Sequence, residues 1–255
     1  MLSITLLYIL VILIVLVNGF TTSKIIKQSS SLKASSETEE KKQRWEVGRF
    51  LKTANFYNAI KIPFLSDMIA PPRTDTKVMN AGDVIWSKED PKVAFGPLDD
   101  VVMGGVSKSN LEVGAKFDGK WTGIVTSANN GGFAGIRSKI FDPKLDASSC
   151  RGLVLKLKGD GNRYKVIGRD DVEWSGIAWS TSFDTIPNKF IEIKIPFTKL
   201  KPTRFARTVT GIPPFNSKFF TGMQLSLSKF EYDGALNPKF TEGFFELDLE
   251  SVKLF

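Results

Sequence analysis

The sequence predicts an all-β domain, a β-sandwich of jelly-roll type over residues 84–255, preceded by an N-terminal targeting or anchor segment and an amphipathic helix. Short runs of alternating apolar and charged residues are the first sign. In Phe190-Ile-Glu-Ile-Lys-Ile, Ile191, Ile193 and Ile195 face one way and Glu192 and Lys194 the other. Phe245, Leu247 and Leu249 repeat the scheme against Glu246, Asp248 and Glu250, as strands with one wet face do. The second sign is punctuation: Gly, Pro, Asn and Asp turns separate these runs, and no long amphipathic helix follows residue 80, which argues against a Rossmann unit.

Taken in order, Leu2 to Val17 is an apolar run that stops at Asn18-Gly19. Its length lies between a signal-peptide core and a bilayer span, so residues 1–19 read as a signal peptide or a signal anchor. Residues 20–36 are rich in Ser, Thr and Lys and lack acids, a transit-peptide-like composition. The pair resembles the two-part plastid addresses of algae with secondary plastids; a mitochondrial or membrane-anchored location is the alternative. Residues 37–62 predict a helix, with Val47, Phe50, Leu51, Ala54 and Asn58 on one face. That face either packs on its own domain or docks on a partner or membrane. Residues 63–83, with Pro71-Pro72, read as a linker. Strands are expected at 121–126, 133–139, 153–158, 190–195, 223–228 and 245–250.

Composition narrows the chemistry. The chain has no histidine, which removes Ser-His-Asp and Cys-His catalysis and the commonest zinc ligand. Its one cysteine, Cys150, forms no internal disulfide and reads as a small buried hydrophobe. Of the net charge of +8, +5 falls in residues 1–80 and only +3 in residues 81–255, with no basic cluster after residue 80, so no nucleic-acid partner is expected.

Three glycine-rich loops carry the candidate site. Asp99-Asp100-Val-Val-Met103-Gly-Gly-Val-Ser107 is acidic, then flexible, then hydroxyl-bearing. In Asn129-Asn130-Gly-Gly-Phe133-Ala-Gly-Ile-Arg137, Asn-Gly is a hairpin signal, and Gly131-Gly132 present N–H groups to a ligand or a neighbouring loop. Gly159-Asp160-Gly-Asn-Arg163-Tyr164 is a tight turn entering a strand. The loops are expected to gather as one rim, with Asp99, Asp100 and Asp160 as partners for Arg137 and Arg163 beside Phe133 and Tyr164. None has the Gly-Lys-Ser/Thr of a phosphate loop or the acidic order of an EF-hand, so no catalytic residue, cofactor or metal is predicted.

In sequence, Asp100-Val-Val-Met-Gly-Gly-Val-Ser, Asn130-Gly-Gly-Phe-Ala-Gly-Ile-Arg and Gly159-Asp-Gly-Asn-Arg-Tyr resemble the complex I intermediate-associated protein 30 family over about residues 85–255. The run ending Ile195-Pro196-Phe197 and the closing Gly243-Phe-Phe-Glu-Leu-Asp-Leu-Glu-Ser-Val fit it too, and Trp45–Phe56 looks like a stretch preceding this domain in photosynthetic relatives. The resemblance implies a galactose-binding-like jelly roll and a non-enzymatic factor that binds subunits of a membrane electron-transfer complex during assembly. The client it implies is respiratory complex I or, given the address, a photosynthetic complex. A carbohydrate-binding module using Phe133, Arg137 and Tyr164 is the competing function.

Overall fold

The computed structural model describes residues 46–57, 75–114 and 119–255, which fall within one compact unit, Lys42–Phe255. The address at 1–36 lies outside the described residues. The described chain holds one α-helix, α1 (Val47–Phe56), and fifteen strands. They are β1 (Thr76–Val78), β2 (Val84–Ser87), β3 (Phe95–Pro97), β4 (Lys108–Glu112), β5 (Lys120–Val125), β6 (Phe133–Ser138), β7 (Lys144–Asp146) and β8 (Gly152–Lys158). The rest are β9 (Arg163–Arg169), β10 (Ala178–Asp184), β11 (Phe190–Pro196), β12 (Lys201–Arg204), β13 (Arg207–Thr208), β14 (Gly222–Ser228) and β15 (Gly243–Leu254).

Two antiparallel sheets form the sandwich expected from the alternation. One has seven strands in the order β13-β12-β10-β9-β14-β6-β3. The other runs β11-β8-β15-β5-β4, with β2 also paired to β15. The core comes from the inward set of each sheet: Trp121, Leu155, Leu157, Phe245 and Leu247 from one, Ile136, Tyr164, Val166, Leu225 and Leu227 from the other. The outward set differs between the sheets. On the six-stranded sheet it is wet and ion-paired, as in Lys156–Glu250 at 2.7 Å and Lys158–Asp248 at 2.7 Å. On the seven-stranded sheet it is polar and yet buried: Arg137, Lys165, Arg169, Ser180, Gln224 and Ser226 all lie out of solvent. Loops on either side cover it.

Three expectations change. Asn129-Asn130-Gly131-Gly132 does not close a hairpin, because β5 and β6 belong to different sheets. The positive φ angles of Asn129, Asn130 and Gly132 (56°, 59° and 126°) serve a crossover from one layer to the other. The stretch expected as linker at 63–83 contains β1, which pairs in parallel with β7, and Met79 is buried with its N–H on the Asp146 carbonyl at 2.8 Å. The helix buries Thr53 and Ala54, whereas Val47 and Leu51 stay exposed. Its orientation is set by polar contacts, described next, that a hydrophobic stripe does not report.

Candidate functional site

Asp99 and Asp100 are adjacent, and both are 1% exposed. Each carboxylate ties a different pair of elements. The Asp100 oxygens accept from Ser107 N (2.9 Å) and Oγ (2.7 Å), Gly132 N (2.8 Å) and Phe133 N (3.3 Å). The first two loops are therefore knotted together, and the acceptor for the Gly-Gly amides comes from the neighbouring loop. A Cβ on Gly105 or on Gly131 would run into the Asp100 carboxyl, so those glycines make room for it. Asn130 stays exposed beside this knot, and Met103 projects from its 3-10 turn at 73% exposure.

Asp99 reaches the other way. It accepts from Ser109 N (2.9 Å) and Oγ (2.6 Å), from Gly135 N (3.2 Å) and from Arg49 Nη2 of α1 (3.1 Å), and Arg49 also donates to the Ser107 carbonyl at 3.0 Å. Tyr57, just past α1, donates its hydroxyl toward the Gly96 and Arg137 carbonyls, and Phe56 lies over Gly96, where no side chain would fit. The helix thus caps β3, an edge strand of the seven-stranded sheet.

Burial pushes the Asp99 carboxyl up to about 6, although Ser109, Gly135 and Arg49 pull it down. The unfolded value is about 3.9, so the folded state binds this proton more tightly. The stabilisation is full below about pH 4 and is lost as the pH rises through 6, a change of roughly 3 kcal/mol. Asp99→Asn should remove that slope: urea unfolding from pH 4 to 7 should give a wild-type-minus-variant difference that varies with pH. A pH-independent difference would show that Asp99 titrates as it does in the unfolded chain.

The third loop is at the same end of the seven-stranded sheet, where β6 and β9 begin and β14 ends. Lys229 N donates to the Gly132 carbonyl (2.7 Å), and Asn237 Nδ2 donates to the Arg163 carbonyl (2.9 Å), which links it to the second loop. Asp160 accepts from Asn162 N (3.0 Å), Tyr164 Oη (3.0 Å) and Glu246 N (3.1 Å). Arg163 pairs with Glu231 (2.7 Å) and Asp184 (2.9 Å), not with Asp160. Tyr164 is 0% exposed, packed on Trp121 and Phe183, because β9 turns it inward. Beside this loop a cavity of about 250 Å³ opens between Lys158, Asp160, Asn188, Phe244 and Glu246.

Arg137 is brought to none of the three aspartates. Four residues along β6 from Phe133, it lies on the outer face with Trp174 4.8 Å and Tyr57 6.0 Å from its guanidinium carbon. Its partners Tyr57, Trp174 and Arg169 lie far away in sequence and were not read as site residues. The register of β6, β14 and β9 brings Arg169 beside it, the end of α1 brings Tyr57, and the loop after β9 brings Trp174.

Residues 86–249 match the sequence model of complex I intermediate-associated protein 30, most of the sandwich. The chain belongs to that family. A Schizosaccharomyces pombe protein described as uncharacterized is 28% identical over 183 residues, 66% of this chain and 78% of its own. Among solved structures, a family 11 carbohydrate-binding module of a Clostridium thermocellum cellulase is 15% identical with a TM-score of 0.49, covering 69% of this chain and 96% of that one. An agarase, AgWH50C, is 8% identical with a TM-score of 0.44, over 68% of this chain and 24% of the agarase. The family match ends short of α1 and β1, so Arg49, Phe56 and Tyr57 are contributed by sequence outside it.

The knot of loops positions backbone: the Ser107 and Ser109 hydroxyls donate to Asp100 and Asp99, whose carboxylates are also taken up by amides of the neighbouring loop and strand. What the arrangement can do chemically is bind, either at the rim with its cavity or on the buried polar face around Arg137.

Proposed function

We propose that this protein is a non-enzymatic assembly factor that holds subunits of a membrane electron-transfer complex before the complex is finished. The family match over residues 86–249 carries this reading. Complex I is the client the family description points to; the transit-like composition of residues 20–36 favours a plastid complex as the alternative client, reached through a cleaved signal and a second import step. On this reading the rim loops, with exposed Asn130 and Met103, and the exposed Phe244 beside the cavity face the client, and membrane association comes through the client.

Two-dimensional native electrophoresis of organelle membranes tests it. The protein should migrate with a partly assembled species and leave the mature complex. Steady migration with the mature complex would make it a subunit and end this reading. Amino-terminal sequencing of the mature protein should begin near residue 20 or 37; a mature chain beginning at Met1 would make it an anchored protein. The sugar-binding reading loses part of its platform, since Tyr164 is in the core and cannot stack on a ring.

A further inference from the structure

We propose that Arg137 and Arg169 form a binding site for a dianionic phosphate group on the outer face of the seven-stranded sheet. It stands apart from the assembly role and does not depend on it. The two arginines come from β6 and β9, which flank β14. Arg137 faces Gln224 and Arg169 faces Gly222, two positions along β14, so both stems rise from one face, and Gly222 adds no side chain of its own.

Each is 8% exposed, and among the described residues neither has a carboxylate within ion-pair distance. Buried cations are ordinarily paired, because an uncompensated charge out of water is expensive. Their N–H groups are also underused. Arg137 makes one long hydrogen bond, Nη1 to the Trp174 carbonyl at 3.4 Å. Arg169 donates through Nη1 alone, to the carbonyls of Gly176 (3.1 Å) and Glu173 (3.5 Å), and its Nε is buried with no partner among the described residues. A guanidinium held by aromatic faces, as Arg137 is by Trp174 and Tyr57, keeps its in-plane edge for an oxyanion. Burial and the neighbouring Arg169 lower Arg137 to about 10, the direction in which an arriving anion would reverse it.

Both arginines line one narrow cleft together with Lys139, Asp171 and Gly222. Asp171 accepts from Glu173 N at 3.0 Å and attracts both arginines, and Asp170 attracts Arg169, all from beyond ion-pair distance. Arg137, Arg169 and Lys139 still outnumber these two carboxylates, and a phosphate offers two guanidiniums more charge and more oxygens than a carboxylate does. The cleft is narrow, about 10 Å³, so a phosphate seats one oxygen in it and keeps its other oxygens outside.

The experiment uses inorganic phosphate on the full chain, with acetate at matched ionic strength. Phosphate at about five times its Kd should raise the melting temperature by about 3 °C. It should also quench or shift Trp174 emission and move the Arg137 and Arg169 Nε–H resonances in the wild-type protein, a readout that needs no variant. Arg169→Met and Arg137→Gln should each weaken phosphate at least tenfold. A response to acetate equal to that of phosphate, unmoved Nε–H resonances, or variants that bind as the wild type does would each overturn the assignment.

Discussion

Replacing Asp100 with alanine should lower the melting temperature by roughly 10 °C, the largest loss expected from any residue of the three loops. The carboxylate is 1% exposed and accepts from Ser107 N and Oγ and from the amides of Gly132 and Phe133. Alanine removes the acceptor and leaves these donors buried without partners. Each orphaned group costs about 1–3 kcal/mol, partly recovered where water enters, so about 3–5 kcal/mol in total is the expected loss. Calorimetry at neutral pH checks it. A shift under 2 °C would mean that the two loops hold their shapes independently and that Asp100 is free for a ligand.

Gly105→Ala should lose about 2–3 kcal/mol in the wild-type background and about half of that when Asp100 is already alanine, because the carboxyl is gone but the Cβ of residue 100 still lies 2.8 Å from the new methyl. The new methyl is directed at the Asp100 carboxyl, a short side chain pinned by its hydrogen bonds, which therefore has no room to swing aside. Neighbouring residues that share one clash are expected to couple in this way, and the double-mutant cycle measures it. Equal losses in both backgrounds would place the cause in the backbone of residue 105 or the Cβ of residue 100, with the carboxyl uninvolved. If Gly105→Ala folds as the wild type does, the glycine is not there to accommodate the carboxylate.

The sandwich was legible because its strands alternate. Ile191/Glu192/Ile193 and Phe245/Glu246/Leu247 show the period directly, and these runs lie where β11 and β15 are found. The outer face of the seven-stranded sheet was not legible in the same way. The alternation in residues 223–228 marks a strand but does not say that Gln224 and Ser226 are buried, since whether a polar strand face is covered depends on loops distant in sequence. The Asn129–Gly132 stretch carried a true backbone signal, positive φ at Asn129, Asn130 and Gly132, and a false topological one, since local chemistry fixes the turn but not which sheet receives the next strand. Arg137 shows the same limit. The sequence places it four residues from Phe133 on the same strand face, but Arg169 reaches it through strand pairing and Trp174 through the loop that follows β9.

Strand β15 runs up the middle of the six-stranded sheet, with β8 along one side and both β5 and β2 along the other. Val252 sits opposite Trp86, so neighbours in that sheet are separated by most of the domain's sequence. During synthesis the earlier strands emerge with the slot between them vacant. β8, β5 and β2 then present bare edges that invite strand exchange between molecules until residue 254 arrives. Closure is accordingly a late, all-at-once event of high contact order, slow relative to hairpin formation.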